Sequence, residues 1–290
     1  MNASKKARFM FILSMVIFGT ISLCVRSIAL PSSEVALFRA VLASILITCY
    51  LISTKQKLVV SHDPKQLALL LFSGAAMGFN WILLFEAYKY TTVSIATLSY
   101  YFAPVIVTVV SPILFQEKMG KKQWLCFLMS TLGIVLITGI GDLGQGSSHL
   151  VGILLGLGAA VLYATVILIN KFIKDVEGIH RTLLQFVSAM IVLFPYVLIT
   201  NGITVHTLDT TGWIYLLIVG FIHTGITYCM YFTSLKELTG QQVALLSYID
   251  PLVAVMLSVT VLQESITWLQ ALGGLLILSF TLYNELSSSK

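Results

Sequence analysis

Asp250 is the residue of this chain whose position most clearly implies chemistry. It stands in SYIDPLVAVML, inside a long apolar stretch. Roughly ten residues into a helix rising about 1.5 Å per residue, it lies about 15 Å deep, near the middle of a bilayer. An ionised carboxylate there costs about 2.5–3.5 kcal/mol and must face a cavity or a partner rather than lipid. Such a group can carry a proton or ligate a cation; the plainer role is to accept hydrogen bonds at the break made by Pro251. Pro104 and Pro251 have no amide hydrogen, so the carbonyls of Tyr100 and Ser247 lose their helical partners. In lipid those carbonyls must find side chains, water or a bound solute. Tyr101 and Tyr248 lie within a turn of the gaps. Either these residues form a polar, aromatic centre, or the prolines are packing kinks.

Other candidates lie in neighbouring apolar stretches. Trp81, Phe85 and Tyr88 share a helical face. Trp81 can stack on a solute, or on a cation, and Asn80 beside it offers a polar handle; core packing is the alternative. Trp124, Trp213 and Trp268 sit near the ends of apolar blocks and suit interfacial anchors. His223 falls near mid-membrane, where an imidazole can relay protons or simply hydrogen-bond within a bundle. Tyr163 and Tyr228 are weaker cavity candidates. Glu86, nearer the outer mouth, attracts cations, pairs with Lys89 or is idle. Arg39 is expected to be structural, bonding carbonyls or an acid such as Glu34, with a role on an anionic solute as the alternative. Glu117 and Glu264 close two apolar blocks and are expected to satisfy amides at the N-terminus of the following helix. Gly74–Gly78 and Gly152–Gly156 are GxxxG pairs suited to close helix contact.

These residues need a membrane around them. Of 290 residues, 58% are hydrophobic and 10% charged, and the mean hydropathy is +0.95. A soluble domain carries far more charge. The net charge of +5 is spread over short loops, which argues against a nucleic-acid partner. Cys24, Cys49, Cys126 and Cys229 form no CxxC pair, so neither a metal site nor a disulfide framework is expected. The basic start of the chain precedes an apolar run without a clean cleavage site, and reads as an uncleaved first span. No Walker A, HExxH or GxSxG motif is present, so neither an enzyme nor an ATP-driven pump is expected, and no cofactor.

Apolar blocks separated by breakers give an all-α membrane protein of ten spans: 8–28, 34–53, 67–88, 92–115, 122–140, 150–171, 180–200, 211–233, 240–262 and 266–284. With both termini cytoplasmic, 14 of the 17 Lys and Arg residues fall inside, as the positive-inside rule requires. A repeat runs through the chain. KYTTVSIATLSYYFAPVIVTVVSPILFQE (89–117) matches KELTGQQVALLSYIDPLVAVMLSVTVLQE (236–264) at a constant offset, pairing Tyr101 with Tyr248, Pro104 with Pro251 and Glu117 with Glu264. Ala103 stands opposite Asp250. Gly74 pairs with Gly220 after a one-residue slip. Five spans per unit is odd, so the units, residues 1–141 and 150–290, should enter the membrane in opposite senses, the plan of many secondary transporters.

The stretch AYKYTTVSIATLSYYFAPVIVTVVSPILFQEKM, its second copy and Arg39 in LFRAVL resemble EamA-type permeases of the drug/metabolite transporter superfamily. The resemblance covers nearly the whole chain. It implies a ten-helix fold with a cavity lined mainly by spans 1, 3, 4, 6, 8 and 9, and transport of a small metabolite across the cytoplasmic membrane. Export of an amino acid, amine or drug-like compound is the leading expectation, with protons as coupling ion through Asp250 or His223. Import or exchange of a sugar phosphate or nucleotide sugar is the alternative, and would call for more buried bases than Arg39. A receptor or membrane-embedded enzyme is disfavoured by the short loops and by the lack of a convergent catalytic set. Neither the cargo nor the oligomeric state is written in the sequence.

Overall fold

Local sequence sets the helix ends. Asp63 caps a helix through the Lys65 amide at 3.0 Å, with Pro64 in its first turn, where a missing amide hydrogen costs nothing. Thr92 and Thr239, equivalent in the two copies, each cap the helix that follows. Thr239 and Gln242 complete a capping box. A computed structural model describes residues 3–115, 120–138, 146–235 and 237–288.

The described residues form α1 (Ala3–Gly19), α2 (Ile21–Arg26), α3 (Ser32–Ser53), α4 (Pro64–Tyr90), α5 (Val93–Tyr100), α6 (Ala103–Phe115), α7 (Lys121–Thr138), α8 (Gly146–Asn170), α9 (Gly178–Thr200), α10 (Thr210–Leu217), a π-helical stretch (Ile218–Ile226), α11 (Thr227–Leu235), α12 (Gly240–Ser247), α13 (Ile249–Thr260) and α14 (Trp268–Ser288). A short 3₁₀ turn, Val205–Thr207, precedes α10. Seven continuous or broken helical segments among the described residues are long and apolar enough to cross a bilayer, and shorter apolar helices accompany them. Ile199, Ile113 and Ile52 are 84%, 75% and 71% exposed, as befits side chains that face acyl chains rather than water.

One of the seven, α5–α6, and one of the shorter apolar segments, α12–α13, break where the paired prolines predict. The α5–α6 segment is interrupted at Tyr101–Phe102, and α12–α13 at Tyr248. Both breaks leave a helix N-terminus at the centre of the segment. The α1–α2 segment also breaks, at Thr20.

Packing is two-fold in its pattern. Helix α4 lies on α8 and α9, while α1 lies on α11 and α3 on the π stretch. Helix α8 takes α5 and α6 as neighbours, and α1 takes α13. Exchanging the two units turns the first member of each comparison into the second. The contacts α3–α9 and α7–α14 map onto themselves. The paired glycines behave alike. A Cβ on Gly74 would strike Gln185 and Ser188 of α9, and one on Gly220 would strike Leu42 of α3. Gly152 and Gly156 press on Thr91 and on Ala96 and Ser99. Where α7 crosses α14, Cβ atoms on Gly133 and Gly273 would come within 2.6 and 2.5 Å of each other's carbonyl oxygen.

Candidate functional site

The two broken segments meet at their breaks. The Tyr101 hydroxyl donates to Asp250 Oδ2 at 2.6 Å, a bond between residues of opposite units. Asp250 lies in the first turn of α13, where the positive end of the helix dipole favours a carboxylate. Its main-chain oxygen would be 2.7 Å from a Cβ on Gly19, so α1 presses directly on this turn. Tyr100 meets Tyr101 edge-on at 5.9 Å and stacks on Tyr163 of α8 at 5.2 Å. Tyr248 is buried at the second break.

A buried cation lies on α3. Arg39 is 5% exposed, and its guanidinium carbon lies 4.3 Å from the Trp81 ring centre and 5.6 Å from that of Phe85. Its Nε donates to Thr224 Oγ1 at 2.8 Å, and that hydroxyl donates to the Val219 carbonyl. Aromatic contacts run on from Trp81 to Phe186, from Phe186 to Tyr228, and from Tyr228 to Phe18 and Phe232, at centroid separations of 5.3–6.1 Å. Phe18 precedes Gly19, which packs on the Asp250 turn, so this aromatic row ends beside the Tyr101–Asp250 pair. Trp81, Tyr101, Tyr163, Tyr228 and Asp250 therefore gather in one central region, together with Arg39.

Other candidates are placed differently. His223 is buried with both ring nitrogens engaged: Nε2 is 2.9 Å from Thr20 Oγ1, and Nδ1 is 3.3 Å from the Ile218 carbonyl. The Thr20 hydroxyl donates to the Ile17 carbonyl at 2.7 Å, which leaves its oxygen to accept from the ring. Asn80 donates to the Ala159 carbonyl at 2.6 Å and ties α4 to α8. Glu86 accepts from Ser32 at 2.6 Å and pairs with Lys89 at 3.0 Å.

Two expectations need correction. Arg39 binds a hydroxyl of the π stretch rather than carbonyls or Glu34, whose carboxylate takes the amide and hydroxyl of Thr204. Glu264 does satisfy a helix N-terminal amide, but it is that of Val93 in α5, at 2.8 Å, not one in the following helix. The same carboxylate pairs with Arg26 and accepts from Ser258. Glu117 lies outside the described residues.

Arg26 also binds the carbonyls of Tyr88 and Thr91, so α2, the α4–α5 turn and the α13–α14 turn are clasped at one end of the bundle. Beside the clasp is a cavity of about 300 Å³ lined by Val25, Arg26, Ile28, Phe85, Tyr88 and Lys89. Phe85 thus borders both this cavity and the Arg39 guanidinium.

Sequence reasoning passed over Tyr100, Phe186, Thr224 and the Arg26–Glu264 clasp. Tyr100 had a signal, as the residue whose carbonyl Pro104 frees. Phe186 had none, since α9 stood outside the expected lining.

Comparison with known proteins follows the same lines. A model of the EamA-like transporter family matches residues 5–139 and 150–284. The chain is 31% identical over 252 residues to an uncharacterized transporter of Bacillus subtilis, YxxF, covering 85% of this chain and 78% of that one. It is 25% identical to protein PecM of Dickeya dadantii over 70% and 68% of the two chains. Mouse solute carrier family 35 member G1 is 27% identical over 64% of this chain and 54% of that one. A solved crystal structure superposes with a TM-score of 0.65 over 95% of each chain, at 16% identity, a likeness of fold.

Proposed function

The chain belongs to the EamA-like transporter family, and from that premise we propose that it is a secondary carrier exporting a small amphipathic metabolite across the cytoplasmic membrane by alternating access. The coarser part stands on the family: this is a multi-pass membrane transporter of small solutes, not an enzyme. The finer part is our reading. Ten spans, with both ends in the cytoplasm, form two units, residues 1–141 and 150–290, threaded oppositely through the bilayer. Outward direction follows from the resemblance to metabolite exporters.

One observation carries the mechanism: the Tyr101–Asp250 hydrogen bond joins the two proline breaks. Rocking one unit on the other must strain or sever this link, and protonating Asp250 or binding a cation there changes its strength. A carboxylate tied to the joint between moving parts couples proton or cation occupancy to the direction in which the site faces. His223, held at both nitrogens, is the weaker coupling candidate and serves in this reading to fasten α1 to the π stretch.

The experiment is flux in proteoliposomes under an imposed pH gradient, with amino acids, amines and drug-like cations as cargo. Gradient-dependent export of at least one class is expected. Correctly folded protein that moves none of them would refute the carrier reading. Labelling of Lys89 and Lys236 from opposite sides of the membrane tests the inverted threading.

A further inference from the structure

The Arg26 clasp ties the two units together at one end of the bundle, and the repeat points to a twin for it. Gly19 of α1 packs on the first turn of α13: a Cβ there would lie 2.7 Å from the Asp250 carbonyl oxygen and 2.7 Å from Val253 Cβ. The constant offset of the repeat puts Ala103 and Ile106 of α6 opposite Asp250 and Val253, and both pack with Ala164 of α8. Ala164 is therefore the counterpart of Gly19. Each is a small residue where its helix crosses the broken segment of the other unit.

The same register carries forward. Arg26 stands seven residues beyond Gly19, and Lys171 seven beyond Ala164, about 10 Å further by helical rise. Ser258, which donates to Glu264 in the clasp, has Ser111 as its counterpart. Lys171 Nζ donates to Ser111 Oγ at 3.4 Å. A basic residue of one unit thus reaches the equivalent stretch of the other unit twice in the molecule.

The two meetings lie at opposite ends. Helix α8 starts beside the clasp, where His149 Nδ1 is 2.8 Å from Thr91 Oγ1 and Gly152 presses on the same threonine. It ends 25 residues later at Asn170, roughly 36 Å away. There Gln66, in the first turn of α4, bonds the Phe172 carbonyl and the Lys174 amide.

Resting on the carrier reading above, we infer that Lys171 and Ser111 form a second gate, opposite the gate of Arg26, Glu264 and Ser258, and that loosening either one tightens the other. Both gates join different units, so relative motion of the units acts on both. The crossings at Gly19 and Ala164 hold the helices together between the two ends. A pair of packed bodies pivoting on such a crossing closes at one end as it opens at the other, because packed interiors tilt rather than stretch. Arg26 and Lys171 are both exposed, so each contact is undone at small cost.

The test places one reporter cysteine at a time in protein whose four native cysteines are replaced by alanine. Ile28→Cys reports beside the clasp, and Ile173→Cys, its counterpart, reports two residues beyond Lys171. Both positions are buried, and each is labelled with a charged, water-soluble maleimide. Lys171→Gln should speed labelling of Ile173→Cys about three- to fivefold and slow that of Ile28→Cys by a similar factor. Arg26→Gln should do the reverse, and Ser111→Ala should act as Lys171→Gln does, more weakly. If Lys171→Gln leaves Ile28→Cys unchanged, or moves both reporters the same way, the inference is overturned. Should the cysteine-free protein not fold, hydrogen exchange over residues 24–30 and 169–175 of the chain with its native cysteines makes the same comparison among the same variants. Flux without reciprocal labelling keeps the carrier and discards the coupled gates. Reciprocal labelling without flux of any solute does the opposite.

Discussion

The clasped end of the bundle and its centre use the same kinds of residue to opposite effect. At the clasp, Arg26, Glu264 and Ser258 spend their capacity on one another and on the Val93 amide, and Glu86 takes Ser32 and Lys89. At the centre, Arg39 makes one hydrogen bond, and the hydroxyl of Ser99, next to Tyr100, is buried without a partner among the described residues. A saturated network closes a passage, because nothing remains to bind a solute. An unsaturated one binds, because desolvated donors gain most from a new acceptor. Depth sets how easily each is undone. The Arg26 side chain is 30% exposed, and water competes for it, so the clasp can open at small cost.

That contrast can be broken most decisively at Asp250. Asp250→Asn keeps the shape and the Tyr101 contact but cannot exchange a proton, and flux driven by a pH gradient should fall to background. If gradient-driven flux persists in well-folded protein, Asp250 is not the coupling group. Tyr101→Phe comes next. It removes one hydrogen bond to a carboxylate, about 1.5–3 kcal/mol, and transport should drop about 10- to 100-fold with the thermal midpoint in detergent little changed. An equal loss of stability and transport would make that bond mere packing.

The clasp should respond less. Glu264→Gln removes the charge but keeps a hydrogen-bonding oxygen for the Val93 amide. A partly exposed ion pair contributes about 0–1 kcal/mol, so net flux should change within about fivefold. A cysteine at Ile28, in the cavity beside the clasp, should at the same time become more reactive to water-soluble reagents. Unchanged reactivity would show that the pair does not close the mouth. Smallest of all, Glu86→Gln should leave flux within about twofold, since Lys89 is exposed and screened. A tenfold loss there would move the binding site toward the 300 Å³ cavity.

Much of the frame was legible in the chain. Hydropathy placed helices close to where they stand; 34–53 and 180–200 correspond to Ser32–Ser53 and Gly178–Thr200. Prolines placed the central breaks, because a missing amide is a local fact. Contacts between distant helices were not legible. Arg39 meets Thr224 across 185 residues, Glu264 meets Val93 across 171, and His223 meets Thr20 across 203. A hydropathy profile says that a residue avoids water, not which neighbour it has. Arg39 was therefore given carbonyls or Glu34 as partners, and Glu264 the helix that follows it.

The π-helical stretch has a consequence for the history of the chain. Gly74 and Leu98 are 24 positions apart, whereas their counterparts Gly220 and Leu245 are 25 apart. A helix admits a lone extra amino acid by widening one turn from four residues to five, and Ile218–Ile226 overlaps the start of that interval. His223, Thr224 and Thr227 all reach back five residues to a carbonyl. A single-codon insertion in one of two duplicated genes, lodged where it turns Thr224 toward Arg39, would have made unlike halves out of twins and given the protein a lopsided heart.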